Sequence, residues 1–382
     1  MGRCARTYSQ PTLALLALSF LVIVYIPSAS AVDARGITLP VVLPPFDEHA
    51  PSCSPPAGLE RALAFARDNQ RKFMQGVEQG LAAAAADRGL AFRVMQADND
   101  ADKMIKQVRE LQAAKVGAIV VAPVDPPSLA PVLRDVMAAG TYIGAVVPPP
   151  ATTILNAPQY ITGKVLADEA VSYVRDKLNG KAKVVLLTHD SLQFVAPRFA
   201  AMRDAFKNMP GVTIIADISP TTVDEAGGAA MMRTILLAEP DVDVVLGADT
   251  VVLGALTALR DTGKVRPDQF LGGIDGEPAA VAEIKAGRGP YKASVSLASP
   301  IFSYAMGQHA ADWLEGKSIP QAMDILPYAL KGANIAQYEV DTGDPASVYK
   351  DPRRRAQYLK MYGNICYETR ANFLDFPWSS ER

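Results

Sequence analysis

From residue 37 onward the chain alternates two hydrophobic patterns. Short apolar runs rich in valine, isoleucine and leucine read as strands, and longer stretches with apolar residues at helical spacing read as helices. The pattern predicts a strand at 37–43, a proline-rich loop, and a long alanine-rich helix ending near Arg88. Strands follow at 91–96, 117–122 and 142–147, with helices at 100–114 and 125–139 between them. The alternation then starts again. Helices are predicted at 165–178, 197–208, 224–238, 250–261, 278–286 and 300–315, and strands at 182–187, 212–216, 242–247, 270–274 and 292–296.

Parallel strands need crossovers of a dozen residues or more, usually helical, so this β-α repeat predicts parallel, doubly wound α/β sheets. A chain of 382 residues is too long for one comfortable core, and nine or ten strands divide more naturally into two lobes than into one sheet. From about Tyr338 the texture becomes turn-rich and then aromatic, which predicts a tail packed on the body. The expected organisation is 1–31 as a leader, 36–160 plus 298–327 as an N-terminal lobe, and 161–297 plus 328–337 as a C-terminal lobe. Residues 338–382 form a C-terminal extension.

The first residues carry different information. Arg3 and Arg6 precede an apolar or small run at 12–26, followed by Pro27 and Ser28-Ala29-Ser30-Ala31. This is the layout of a secretory signal peptide, with cleavage expected after Ala31. The competing reading, a membrane anchor, needs about 20 apolar residues. The expected location is the periplasm, and the expected form is a monomer. Removing two arginines and no acid takes the net charge from −2 to −4, so neither nucleic acid nor an anionic membrane is indicated as a partner. Cleavage also removes Cys4 and leaves Cys53 and Cys366. In an oxidising compartment these two are candidates for one disulfide, the alternative being two buried thiols.

No metal, cofactor or catalytic set stands out. The three histidines, His49, His189 and His309, show no zinc-ligand spacing. Asp98-Asn99-Asp100 lacks the spaced oxygens of a calcium loop. His189-Asp190-Ser191 are adjacent, so the histidine cannot sit between a nucleophile and an orienting acid.

Several motifs carry a resemblance to a known family. Residues 237–249 (LAEPDVDVVLGAD), the turn Gly272-Gly273-Ile274-Asp275-Gly276, the strand and turn at 117–125, and Arg198 at the head of a helix stand in a familiar order. In these the chain resembles the type I periplasmic substrate-binding proteins of the sugar ABC transporter branch, over residues 37 to 330. The resemblance implies two lobes joined by a hinge, a sugar or polyol held in the cleft, an ABC permease as partner, and no enzymatic activity. A periplasmic sensor that docks on a membrane receptor or kinase is the alternative. A sugar-responsive repressor would need a helix-turn-helix where this chain has its leader.

The chain departs from the family pattern in places. The aromatic and asparagine expected after the first strand give way to an insertion from Pro44 onward. Val147-Pro148 replace an Asp-Arg pair, Ala248 an asparagine, and Leu297 a glutamine.

Nine positions are candidate ligand contacts, six of them with a plainer alternative. Asp275 ends a strand before a glycine, where a carboxylate takes two hydroxyl protons or caps the next helix. Arg198 offers a planar fork or is a solvated helix charge. Asp249 competes between ligand and cap. Phe46, Asp47 and Glu48 follow the predicted first strand, where an aromatic face and acids suit a sugar, or form an exposed acidic loop. His189, Asp190 and Phe194 follow the strand at 182–187.

Overall fold

The computed structural model describes residues 42–146, 150–192 and 195–375 together with positions 2 and 378. The proposed leader, most of the strand expected at 37–43, Val147-Pro148 and Phe194 therefore lie outside the described residues.

In chain order the first lobe is built from β1 (Glu60–Arg67), α1 (Lys72–Arg88), β2 (Ala91–Gln96), α2 (Ala101–Ala113), β3 (Val116–Val121), α3 (Pro126–Ala138), β4 (Tyr142–Ala145) and β5 (Thr153–Asn156). The second comprises α4 (Gln159–Lys177), β6 (Ala182–Leu187), α5 (Ala196–Phe206), β7 (Val212–Ile218), α6 (Glu225–Ala238), β8 (Val244–Leu246), α7 (Asp249–Asp261), β9 (Phe270–Asp275), α8 (Pro278–Ala286) and β10 (Tyr291–Ser296). The chain returns through α9 (Ser299–Leu314) and β11 (Ala322–Ile325), crosses again to β12 (Tyr328–Leu330), and ends in α10 (Ile335–Gly343), α11 (Pro345–Lys350), α12 (Pro352–Tyr358) and β13 (Leu359–Tyr362).

Two sheets result, with strand orders β13-β11-β5-β4-β3-β1-β2 and β12-β10-β9-β8-β6-β7. All pairings are parallel except β11 with β13 and β10 with β12, the two places where the late chain closes a sheet edge. Each sheet is covered by helices on both faces, which explains its continuous apolar strands: all six residues of β3 are buried. The chain passes between the sheets four times, after β5, after β10, after β11 and, through α10–α12, after β12.

One element corrects the sequence reading. The first strand is β1, in a stretch that alanine content assigned to a helix, and 42–43 are not in a strand. Ala62, Leu63, Ala64, Phe65 and Ala66 are fully buried between β2 and β3. A central parallel strand buries both faces, so it shows neither alternation nor helical period, and alanine's helix propensity is overruled by tertiary pairing.

The tail is fastened to the first lobe. Phe46 N–H donates to the Met361 carbonyl at 3.0 Å, and Pro45 bridges Tyr362. Cys53 and Cys366 form a disulfide with a Cα–Cα separation of 6.1 Å. The Trp313 and Tyr367 rings meet edge to face, and Arg134 of α3 pairs with Asp375 at 2.8 Å.

Candidate functional site

Strand β9 delivers the central carboxylate. Asp275 is its last residue, at φ 121, followed by Gly276 at φ 70 and by Pro278 opening α8. Gly276 is required here twice over. Its φ lies in the left-handed region, and a Cβ would fall 2.8 Å from Ser296 Oγ and 2.9 Å from Tyr338 Oη. The turn therefore presents Asp275 and Glu277 beyond the carboxyl end of the sheet, where open α/β sheets bind ligands.

A cavity of about 310 Å³ opens at this point. Lys72, Phe73, Gln75, Gly76 and Gln79 of α1 line one side, Asp275, Gly276, Glu277 and Pro278 the other. Ser299 and Pro300 at the start of α9, with Tyr338 and Thr342 of α10, complete it. Ala298, at φ 47, turns the chain from β10 into α9 beside the cavity. Helices α1 and α9 approach closely along this side, because Gly80 lies against the Pro300 carbonyl, 2.2 Å from where its Cβ would stand.

The electrostatics of the site follow from burial and neighbouring charge. Asp275 lies 3.8 Å from the Arg198 guanidinium, an ion pair whose side chains are 22% and 11% exposed. Burial pushes the Asp275 carboxyl up, while Arg198 and Arg71 pull it back. Burial lowers the Arg198 guanidinium, and Asp275 opposes the change. Arg198 also donates from Nε to Gln159 Oε1. Glu277 rises to about 7, first through burial and then through Asp275, Asp249 and Glu225, with Arg71 opposing. Arg71 itself pairs with Asp68 at 2.5 Å in the loop after β1. The site thus combines carboxylate acceptors on the second lobe with guanidinium charge from both lobes.

The nine candidates separate on this geometry. Asp275 and Arg198 come together at the cleft. Asp249 does not reach it as a contact. It is fully buried behind the turn, and its carboxylate accepts from Tyr291 Oη at 2.7 Å, Ser294 Oγ at 2.7 Å and Glu277 N–H at 2.8 Å. Gly273 makes room for it, since a Cβ there would stand 1.9 Å from Asp249 Oδ1. Asp249 is a positioning residue for the turn that carries Asp275 and Glu277.

Phe46, Asp47 and Glu48 are corrected outright. They do not follow the first strand, because that strand is β1. Asp47 exchanges hydrogen bonds with Asn364, and Glu48 pairs with Arg355, so both serve the tail. Asp190 is drawn toward the outer strand β7, sharing Arg203 with Asp217. His189 is half-buried, and burial lowers its pKa against the pull of Asp190.

Sequence reasoning missed the loop after β1. Ala62–Ala66 followed by Arg67-Asp68-Asn69-Gln70-Arg71-Lys72-Phe73 is an apolar run ending abruptly in polar residues, which is the available signal. The asparagine and aromatic sought after the first strand are present after the true one, as Asn69 and Phe73.

Comparison with known proteins agrees with this geometry. A family model described as "Periplasmic binding protein domain" matches residues 62–318. The ribose import binding protein of Bacillus subtilis is 25% identical over 263 residues, covering 66% of this chain and 80% of that one. A galactofuranose-binding protein of Escherichia coli is 27% identical over 231 residues, 56% of this chain and 71% of that one. Among solved structures, a Bacillus halodurans ABC transporter solute-binding protein with bound myo-inositol superposes with a TM-score of 0.63 at 22% identity, covering 74% and 98% of the two chains. An Actinobacillus succinogenes solute-binding protein with bound D-allose gives 0.66 at 19% identity, covering 73% and 100%. The shared fold is two parallel-sheet α/β lobes.

Proposed function

Since the chain belongs to the periplasmic binding protein domain family, we propose that it captures a small sugar or polyol between its lobes and delivers it to an ABC permease. The observation that carries this reading is the cavity of about 310 Å³ at the carboxyl end of β9, with Asp275 and Glu277 on one wall and the polar start of α1 on the other. Its size lies at the small end of ligand clefts, which run from about 300 to 1,000 Å³. A polyol fits the chemistry. Each hydroxyl stripped of water needs a partner, and a carboxylate accepts from two neighbouring hydroxyls at once.

The crossings after β5, β10 and β11 form the hinge in this reading, and closure brings Arg71 and Phe73 of the first lobe toward Asp275. The relatives named for ribose and galactofuranose, and the neighbours holding myo-inositol and D-allose, support the ligand class. Export to the periplasm, with loss of residues 1–31, belongs to the same proposal. Among the described residues no helix is long and apolar enough to cross a membrane.

The test is a thermal-shift screen of the purified chain against D-ribose, D-allose, D-galactose, myo-inositol and glycerol. A ligand at 100 times its dissociation constant stabilises by about 2.7 kcal/mol. Silence across all five sinks the sugar or polyol reading.

A second measurement places the cleft. Asp275→Asn keeps the side chain's size but removes a charge-assisted acceptor and leaves the buried Arg198 guanidinium without its counter-charge, so affinity for the responding sugar is expected to fall by about 1.5–3 kcal/mol, with some loss of melting temperature as well. Arg198→Ala leaves Asp275 buried without its counter-charge, so it is expected to lower both affinity and melting temperature. Calorimetry showing unchanged affinity in both variants moves the site elsewhere.

A further inference from the structure

Tyr338 and Thr342 reach the cavity from chain that the family match does not cover. The match ends at residue 318, whereas both residues lie in α10, the first helix of the tail. Tyr338 is 7% exposed, and its oxygen accepts from Ser296 Oγ at 2.7 Å. Ser296 Oγ in turn accepts from the Ala298 N–H at 2.8 Å. A serine hydroxyl has one proton, and here it is committed to the phenol oxygen. The proton of Tyr338 is therefore free to donate, from a ring that lines the same cavity as Asp275.

Helix α10 is fixed independently of any ligand. Asp341, 1% exposed, accepts from Tyr358 Oη at 2.6 Å, Gln337 Nε2 at 2.7 Å and Arg354 at 2.5 Å. Glu339 pairs with Lys285 of α8 at 2.8 Å. Tyr358, which ends α12, accepts at its carbonyl from the Leu326 N–H at 2.8 Å, on the crossing between β11 and β12. The phenol is thus held in place by the second lobe and by the crossing, with its donor direction set before a ligand arrives.

We propose that Tyr338 is a ligand-binding residue, a hydroxyl donor to a hydroxyl or ring oxygen of the bound sugar, and that the tail thereby takes part in setting which sugar the cleft accepts. The inference rests on the sugar-or-polyol reading above and adds a residue to it. The chemistry is complementary. Asp275 and Glu277 accept protons from ligand hydroxyls, and a hydroxyl that donates to a carboxylate is the better acceptor for a phenol. Burial first, then Asp249 and Asp275, raise the Tyr338 phenol to about 12, against the bond from Ser296, so it remains a donor at neutral pH.

The test compares wild type with Tyr338→Phe. D-ribose, D-allose, D-galactose and myo-inositol are screened by thermal shift, and the responder and its monodeoxy analogues are titrated by calorimetry. The expected result is a three- to tenfold weaker affinity of Tyr338→Phe for the responder, the range of one neutral hydrogen bond. One monodeoxy analogue should be bound equally by both proteins, which identifies the hydroxyl that Tyr338 meets. A purely structural role would weaken every analogue alike and leave the ranking unchanged, and that outcome overturns the proposal.

If Tyr338→Phe fails to fold, 3-fluorotyrosine at position 338 keeps the ring and hydroxyl but makes a stronger donor. Tighter binding then supports the proposal and unchanged binding overturns it. The two readings fail differently. A wild type that responds to none of the four, nor to glycerol, loses both, and a responding wild type matched by its variant loses only the role of Tyr338.

Discussion

Replacing Asp249 by alanine is expected to destabilise the fold by on the order of 3–5 kcal/mol, because three buried donors lose their acceptor at once. Those donors are Tyr291 Oη, Ser294 Oγ and the Glu277 N–H. Asp249→Asn is expected to behave differently. Its oxygen can take the bonds from Ser294 and Glu277, and its amide can donate to Tyr291, whose hydroxyl also accepts.

The contrast depends on pH, and the sign follows from burial. Burial raises Asp249 from 3.8 to about 6, with its three hydrogen bonds opposing. The folded protein then binds this proton more tightly than the unfolded chain. The contribution is fully present below about pH 4 and is lost as pH rises through about 6. Glu277, raised from 4.5 to about 7 chiefly by burial, adds a second loss at the upper end of the same window. The amide of the Asp249→Asn variant carries no charge to bury. Urea melts at pH 4, 5.5 and 7 should therefore show the Asp249→Asn protein gaining on wild type as pH rises, while Asp249→Ala stays below both. Parallel curves for wild type and Asp249→Asn would falsify the assignment of a buried, titrating carboxylate.

Asp249 also shows where sequence reading stops. Its position after β8 and at the head of α7 was legible, but strand-end acids look alike in sequence whether they face a cleft or the core. What distinguishes it is Gly273, two residues before Asp275, whose missing side chain leaves space for the carboxylate. Asp275 at a strand end before Gly276 and Arg198 at the head of the helix after β6 were singled out by position alone, and the structure brings their side chains within 3.8 Å of each other.

The repeating helices and most central strands were legible too, since their periodicity is local. The family resemblance drawn from residues 117–125, 237–249 and 272–276 is borne out by the family match and the shared two-lobe fold. The strands β5, β11, β12 and β13 were not legible. They have three or four residues each, and they are strands only because distant chain lies beside them: Ala322 pairs with Ile154 on one side and Tyr362 on the other. Tyr338 was illegible for the same reason. Its place in the cleft depends on Ser296 and Asp341, and nothing in the tail's own pattern indicates them.

An effect of similar size is expected from the covalent link between two segments that the family match leaves outside. Cys53 and Cys366 are 313 residues apart in sequence. The chain-entropy account assigns a loop of that length roughly 5 kcal/mol, with less delivered when the reduced state retains structure. Here the reduced state has other anchors: four β11–β13 pairs, the bond from Ser54 N–H to Glu368 at 2.6 Å, and the Cys53 N–H to the Gly316 carbonyl at 2.6 Å. We therefore expect Cys53→Ser with Cys366→Ser to lower stability by about 3–5 kcal/mol. The loss should appear first as proteolysis around the Pro-rich 50–58 loop, which has no buried residue, and then in the 363–375 tail, which keeps Ile365 and Leu374 in the core. Helix α10 should be protected longer, because Asp341, Arg354 and Tyr358 hold it without the disulfide. Peptide mapping of the purified protein, alkylated without reduction, should recover the two cysteines in one linked peptide. Two free thiols, or a double variant that unfolds at the wild-type urea midpoint, would show that the link does not hold these segments together.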